Sequence, residues 1–205
     1  MTQLRIQGGH RLNGTIRAAG NKNAALPILA GSLLADGPVQ IQNLPQIGDV
    51  ATMLDLLTSL GALVRHDDGQ RVTIDSSGLE PRPLAAQPCS RVRGSILLAA
   101  PLLQRFGSVE LPLPGGDRIG RRRVDTHLLA LQALGARVEA DATVRITAPD
   151  GLHGAHILLD EASVTATENT VMAASLARGV TIIQNAACEP HVQELCRFLK
   201  SMGAE

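Results

Sequence analysis

The residues with the greatest chemical capacity are gathered in one stretch, Leu113-Pro114-Gly115-Gly116-Asp117-Arg118-Ile119-Gly120-Arg121-Arg122-Arg123-Val124-Asp125-Thr126-His127. It sets one carboxylate, Asp117, among glycines and arginines, immediately before an apolar-periodic run that reads as a helix. Glycine lets backbone N–H groups turn toward a ligand, and arginine forks match phosphate or carboxylate oxygens two at a time. The helix start beyond the loop adds a further preference for anions. This pattern suits a mobile, anion-gripping loop that carries an acid. A turn followed by a solvated charge run fits the same letters, because Gly-Gly pairs commonly punctuate turns. A second candidate is Gly20-Asn21-Lys22-Asn23-Ala24-Ala25-Leu26-Pro27, a glycine turn that feeds a lysine into a helix start.

The surrounding chain must position these two stretches. Residues 4–9 read as a short strand and turn, and residues 12–18 alternate as a second strand. An Ala/Leu-rich helix follows to about residue 35, with Pro27 expected in its first turn. A pattern then recurs with a period of roughly 70 residues, too long for a solenoid and suited to a repeated βαβαββ module. In each copy a glycine closes a helix (Gly37, Gly107, Gly179) and a β-rich run follows. A second amphipathic helix comes next, capped by Gly-Ala at 61–62, 135–136 and 203–204. Val192, Leu195, Cys196 and Leu199 fit the i, i+3, i+4, i+7 template of such a helix. The expected fold class is α/β, with the modules enclosing a shared core of helices and sheets outside. The third module stops before its hairpin and reads as truncated, leaving an edge expected to self-associate.

Composition narrows the function classes. Lys plus Arg and Asp plus Glu number 19 each, so no global charge draws the chain to nucleic acid or membrane. Phe106 and Phe198 are the only aromatics among Phe, Trp and Tyr, too few for base-stacking platforms. Cys89, Cys188 and Cys196 lack disulfide-framework spacing, and no signal peptide or long apolar run is present. A reducing cytoplasmic setting is expected. No metal site or organic cofactor is called for.

Taken together, Gly20 to Pro27, Arg93-Gly94-Ser95-Ile96, and Leu113 to Gly116 with Arg122, Val124, Asp125 and His127 resemble the enolpyruvyl transferase family. Ser163-Val164-Thr165-Ala166-Thr167-Glu168-Asn169 and Ile183-Gln184-Asn185-Ala186-Ala187-Cys188-Glu189-Pro190 extend the match over essentially the whole chain. The resemblance implies an inside-out α/β barrel domain, with this chain as the N-terminal half of a two-domain enzyme. Residues 1–21 would then be strands that belong with the second domain, and residues 22–205 the catalytic-loop domain. The implied reaction moves the enolpyruvyl group of phosphoenolpyruvate to the 3-hydroxyl of UDP-N-acetylglucosamine and releases phosphate, a step of peptidoglycan precursor synthesis. Addition followed by elimination needs an acid for C3 of the enol, a base for the hydroxyl, and cations for phosphate and carboxylate.

By resemblance, Lys22, Asn23 and Arg122 would hold phosphoenolpyruvate, and Asp117 would be the proton donor. Asn23, Arg93, Arg122, Arg123, Val124, Asp125, Thr126, Ser163, Val164 and Thr165 would line the UDP-sugar site. Plainer roles stand beside these: a solvated Lys22, a surface Arg93, Asn23 as helix cap, a loop hydroxyl at Ser163, and Asp125 as a first-turn carboxylate. Relatives usually carry Cys at position 117, Pro at 123 and Gly at 165. Asp117 keeps a proton donor but removes the thiolate that fosfomycin alkylates, so insensitivity is expected. Thr165 would be strained if its backbone required positive φ. With half the site in a second domain, this chain alone is expected to be inactive. Two other readings stand against this one. The sister 5-enolpyruvylshikimate-3-phosphate synthase matches the Lys22 and Asp117 motifs less well. A non-catalytic fragment that binds UDP-sugar or pairs with a partner chain would account for the missing hairpin.

Overall fold

The computed structural model describes residues 3–115 and 123–205. Its helices are α1 (Lys22–Gly31), α2 (Gly48–Ser59), α3 (Ala86–Arg91), α4 (Ala99–Phe106), α5 (Asp125–Ala133), α6 (Val164–Ala174) and α7 (Pro190–Ser201). The strands are β1 (Val39–Ile41), β2 (Leu63–Asp68), β3 (Arg71–Asp75), β4 (Ser108–Pro112), β5 (Arg137–Ala140), β6 (Thr143–Thr147), β7 (His156–Leu158) and β8 (Ile182–Gln184). The run strand–helix–hairpin occurs twice, giving antiparallel sheets ordered β1-β3-β2 and β4-β6-β5. In each sheet the first strand lies against the return strand of the hairpin. Val39 faces Ile74 and Val109 faces Ile146 across these pairs. The third copy differs: β7 and β8 pair in parallel across the crossover helix α6.

Three helix ends carry the same cap. Gly61, Gly135 and Gly203 take φ near +100°. Each donates its N–H three residues back, and the following alanine donates five residues back: Ala62 to Leu57, Ala136 to Leu131, Ala204 to Leu199. These are Schellman closures, which satisfy last-turn carbonyls and turn the chain out toward the sheet. At Gly61 the need for glycine is doubled, because a Cβ there would lie 2.3 Å from the Gly78 carbonyl oxygen.

Alternation places Val72, Ile74, Val109, Leu111, Val144 and Ile146 on the buried faces of their strands. Helices α2, α4 and α5 pack on these sheets, while α1, buried along most of its length, and α6, whose residues Ala166 to Thr170 are all buried, pack among the other helices. Arg105, near the end of α4, ties modules together: it donates to the carbonyls of Leu33 and Ala35 and to the Ser76 hydroxyl. Helices α5 and α6 share a polar relay. Asn169, fully buried, meets His127 Nδ1 at 2.9 Å and donates to the Ile96 carbonyl, and His127 Nε2 lies 3.0 Å from the Thr165 hydroxyl. Burial, with the Arg93 charge second, holds the His127 imidazole down from 6.5 to about 3, so it is neutral here.

Three expectations are corrected. Residues 4–9 and 12–18 form no strand: Leu4, Ile6, Leu12 and Ile16 are exposed, and no neighbouring strand supplies the ladder a β conformation needs. Pro27 sits in the second turn of α1 rather than the first, where it offers no N–H to the carbonyl of Asn23. The helix cap is Asn21, which accepts from the N–H groups of Asn23 and Ala24, so Asn23 is not the cap. Among the described residues no helix is long and apolar enough to cross a membrane.

Two predictions follow from this packing. Gly61→Ala should lose on the order of 2–3 kcal/mol by urea unfolding, while Gly69→Ala, at φ +34° in open space, should lose within about 1 kcal/mol. Equal losses would remove the argument for the close approach at Gly61. The unfolded chain takes up a proton at His127 near pH 6.5, whereas the native one does so only near pH 3. The stability advantage of the natural protein over His127→Gln should therefore be largest above pH 7 and shrink as pH falls from 6.5. An advantage that grew in acid would contradict a neutral buried imidazole.

Candidate functional site

A cavity of about 430 Å³ opens where the first turns of four helices meet. Lys22 and Asn23 come from α1, Asp49 from α2, Val164 and Thr165 from α6, and His191 from α7. Arg93 and Gly94 enter from the 3₁₀ turn Arg93–Leu98, and Arg91 from the end of α3. Leu26, Pro27 and Leu97 supply an apolar floor. Unpaired N–H groups at helix starts carry partial positive charge, so four such ends with a lysine and two arginines favour an anion.

Local chemistry explains how each group reaches the cavity. Asn21 caps α1 and so fixes Lys22 and Asn23 at its first two positions. Gly94 permits a close approach between its turn and α1, since a Cβ there would lie 2.9 Å from Leu26 Cδ1. Ser163 caps α6 by accepting from the Ala166 N–H, which places Val164 and Thr165 at the rim. Thr165 is helical, so the strain foreseen for it does not arise. Its hydroxyl instead meets His127.

Lys22 Nζ lies 2.9 Å from Asp49 Oδ2 in a half-exposed pair. Such pairs contribute no more than about 1 kcal/mol, so an incoming phosphate or carboxylate can displace Asp49 readily.

Of the sequence-named residues, Lys22, Asn23, Arg93, Val164 and Thr165 therefore share one cavity, with Ser163 at its edge. Arg123, Val124, Asp125 and Thr126 are set beside it rather than in its lining. Arg123 pairs with Asp125 and, at 2.7 Å, with Asp160, and the Thr126 hydroxyl donates to Asp160 at 2.8 Å. Asp125 first, and then Asp160, raise the Arg123 pKa. Arg93 links the two groups, donating 2.8 Å to the Arg123 carbonyl. Asp117 and Arg122 lie outside the described residues. The chain leading to them is anchored where Gly115 donates to the Cys89 carbonyl. A Cβ on Gly115 would lie 2.0 Å from the Ser90 oxygen.

Sequence reasoning missed Asp49, Arg91, Asp160, Glu168, Glu189 and His191. Glu168 stands inside a quoted motif, but its depth in α6 depends on long-range packing. It is only 1% exposed, its Oε1 finds no hydrogen-bond partner, and burial, with Glu189 second, pushes its pKa up to about 8.

A model of the EPSP synthase (3-phosphoshikimate 1-carboxyvinyltransferase) family matches residues 6–205. The UDP-N-acetylglucosamine 1-carboxyvinyltransferase of Bradyrhizobium diazoefficiens is 50% identical over 203 residues, covering 99% of this chain and 47% of that protein. Its namesake from Treponema denticola is 51% identical over 205 residues, covering 100% of this chain and 48% of that one. The chain thus spans about half the length of these curated relatives. Among solved structures, the enolpyruvyl transferase NikO from Streptomyces tendae aligns with a TM-score of 0.81 at 26% identity, over 97% of this chain and 46% of its own. An EPSP synthase from Acinetobacter baumannii shares the fold, with a TM-score of 0.70 at 20% identity, over 88% of this chain and 42% of its own. Matched along nearly its whole length by the family model and by half of each relative, the chain belongs to the enolpyruvyl transferases.

Proposed function

We propose that this chain contributes one wall of an active site that transfers the enolpyruvyl group of phosphoenolpyruvate to the 3-hydroxyl of UDP-N-acetylglucosamine, with release of phosphate. The observation that carries the reading is the convergence of Lys22, Asn23, Arg93, Val164 and Thr165 on one cavity ringed by helix N-termini. Relatives named UDP-N-acetylglucosamine 1-carboxyvinyltransferase, about half of whose length the chain covers, support the choice of acceptor. In this reading the α1 terminus and Lys22 take the phosphate of phosphoenolpyruvate, and Arg122 is assigned to the same substrate. Asn23 stands between the two substrates, and Arg93 with the 123–126 and 163–165 segments holds the UDP-sugar.

Asp117 protonates C3 of the enol while the sugar hydroxyl gives its proton to the base and adds at C2; phosphate then leaves C2 as a proton leaves C3, which restores the double bond. Neighbouring arginines favour its ionised form, so substrate charge and loop closure must keep the proton on it. Residues 1–21, which present Leu4, Ile6, Leu12 and Ile16 to solvent, belong with the part of the relatives that this chain does not span. That same part completes an inside-out α/β barrel enzyme and supplies the base. No metal or organic cofactor enters the scheme.

The purified chain should release no phosphate from phosphoenolpyruvate and UDP-N-acetylglucosamine, yet bind the UDP-sugar in a titration that Arg93→Ala weakens at least tenfold and phosphoenolpyruvate in one that Lys22→Ala weakens at least tenfold. Turnover by the chain alone, or binding indifferent to both substitutions, would sink the scheme. Fosfomycin should leave the active, completed enzyme untouched, because a carboxylate at 117 attacks an epoxide poorly. Burial also pushes the Cys89 and Cys196 thiols up, away from their reactive form. Asp117→Cys should restore time-dependent inactivation and a covalent adduct by mass spectrometry; an adduct at Asp117 itself would contradict the assignment.

A further inference from the structure

One carboxyl in the cavity has no part in the scheme above. Glu168 stands one turn into α6, nine-tenths buried and more, with Oε1 buried and unpartnered, and it lines the cavity together with Lys22, Arg91 and Arg93. His191, in the first turn of α7, shares that lining and carries a second buried, unpartnered atom, Nε2. Two buried polar atoms without partners at one cavity are costly unless a ligand uses them. Both can act as donors, the imidazole through Nε2–H and the carboxyl when protonated.

We propose that Glu168 is a binding residue for the anionic substrates of this cavity, offering its carboxyl proton to a ligand oxygen, so that occupancy of the site carries a proton with it. The proposal rests on the reading of the cavity as a site for phosphate-bearing substrates and names a further group that grips them. The groups facing Glu168 decide the sign. Lys22 of α1, Arg91 of α3 and Arg93 of the 3₁₀ turn are cationic; Asp49 of α2 and Glu189 at the head of α7 are acidic. His191 of α7 shares the lining, and His127 of α5 is neutral and engaged with Thr165 and Asn169.

Lys22 is already turned to Asp49, while Glu189 and burial both disfavour a second negative charge at position 168. An ionised Glu168 would repel the phosphate that the helix ends attract, whereas the neutral acid adds a donor to them. Linkage then runs both ways: the bound anion tightens the proton on Glu168, and the proton tightens the anion.

The test uses the full chain labelled with ¹³C at glutamate Cδ, the Glu168 signal being assigned by its loss in Glu168→Gln. Titration from pH 6 to 10 is run alone and with sulfate, phosphoenolpyruvate or UDP-N-acetylglucosamine. Glu168 should be protonated at pH 7, and anion binding should move its midpoint upward by at least one pH unit. Calorimetry should show UDP-N-acetylglucosamine binding at least about fivefold weaker at pH 9.5 than at pH 7.5, with proton uptake in buffers of different ionisation heat. Glu168→Gln, a permanent neutral donor, should hold that change below threefold.

A Glu168 already ionised at pH 7, a midpoint unmoved by all three anions, or an undiminished pH slope in Glu168→Gln would each overturn the proposal. Should that variant not fold, proton uptake by the unmodified chain still decides, and its absence at pH 8.5 overturns the idea. If sulfate or phosphoenolpyruvate displaces the midpoint while the UDP-sugar does not bind, the acceptor assignment falls and the role of Glu168 stands. If none of the three binds, both fall.

Discussion

The structure depends on one electrostatic arrangement, the meeting of helix beginnings around a common space. The first turns of α1, α2, α6 and α7 each leave backbone N–H groups without intrahelical partners. Bringing several such ends together is unfavourable in an empty interior, because like partial charges crowd one another. The chain relieves this with Asn21 and Ser163 as caps, with Asp49 in the first turn of α2, and with solvent access at the mouth of the cavity. What remains is a site whose field is set by the backbone and trimmed by side chains, and therefore stiff. Lys22, Arg91 and Arg93 add mobile charge to a positive background that substitution cannot easily remove.

Helix α6 shows what this arrangement asks of the core. A central helix would ordinarily bury only aliphatic groups, yet Thr167, Glu168, Asn169 and Thr170 are all buried there. Asn169 reconciles itself by meeting the Ala100 N–H, the Ile96 carbonyl and His127. Thr167 donates to the Ser163 carbonyl and accepts from the Ala187 N–H, pinning the approach to α7 onto α6. The polar groups thus fix the relative setting of the helices whose ends form the cavity. Glu168 alone in this row has an oxygen left over. Buried, yet on the lining of the cavity, it is the residue to which the binding role proposed above would give that oxygen a use.

Much of this was legible in the residues. Periodicity located α2, α5 and α7 closely, because an apolar face followed by Gly-Ala is a local signal that needs no tertiary help. The hairpins at 63–75 and 137–147 were readable from alternation around polar turns. Lys22 and Asn23 were placed at a helix start by local grammar alone, although the capping atom belongs to Asn21. The misreadings have physical causes. Alternation in residues 4–18 describes a strand, but strands exist only where a partner completes the hydrogen bonds, and sequence pattern carries no partner. Pro27 was expected at a helix edge, yet tertiary burial around α1 tolerates the missing N–H one turn later. The pairing of Arg123 with Asp160, remote in sequence, carried no local signal either. Glu168 was invisible as a buried acid because its depth is a property of the assembled core.

The clasp made by Arg105 bears on how the molecule comes apart. Its guanidinium, carried on the helix that opens the second module, holds the stretch leading into the first sheet and the serine just beyond that sheet's last strand. Entry and exit of one repeat are thus stitched to the doorway of the next. Repeat architectures commonly fray from a terminus one unit at a time. Here the leading repeat cannot peel away without breaking charge-assisted bonds that belong to its neighbour, so the two melt as a single cooperative block and the cavity is lost all at once rather than by degrees.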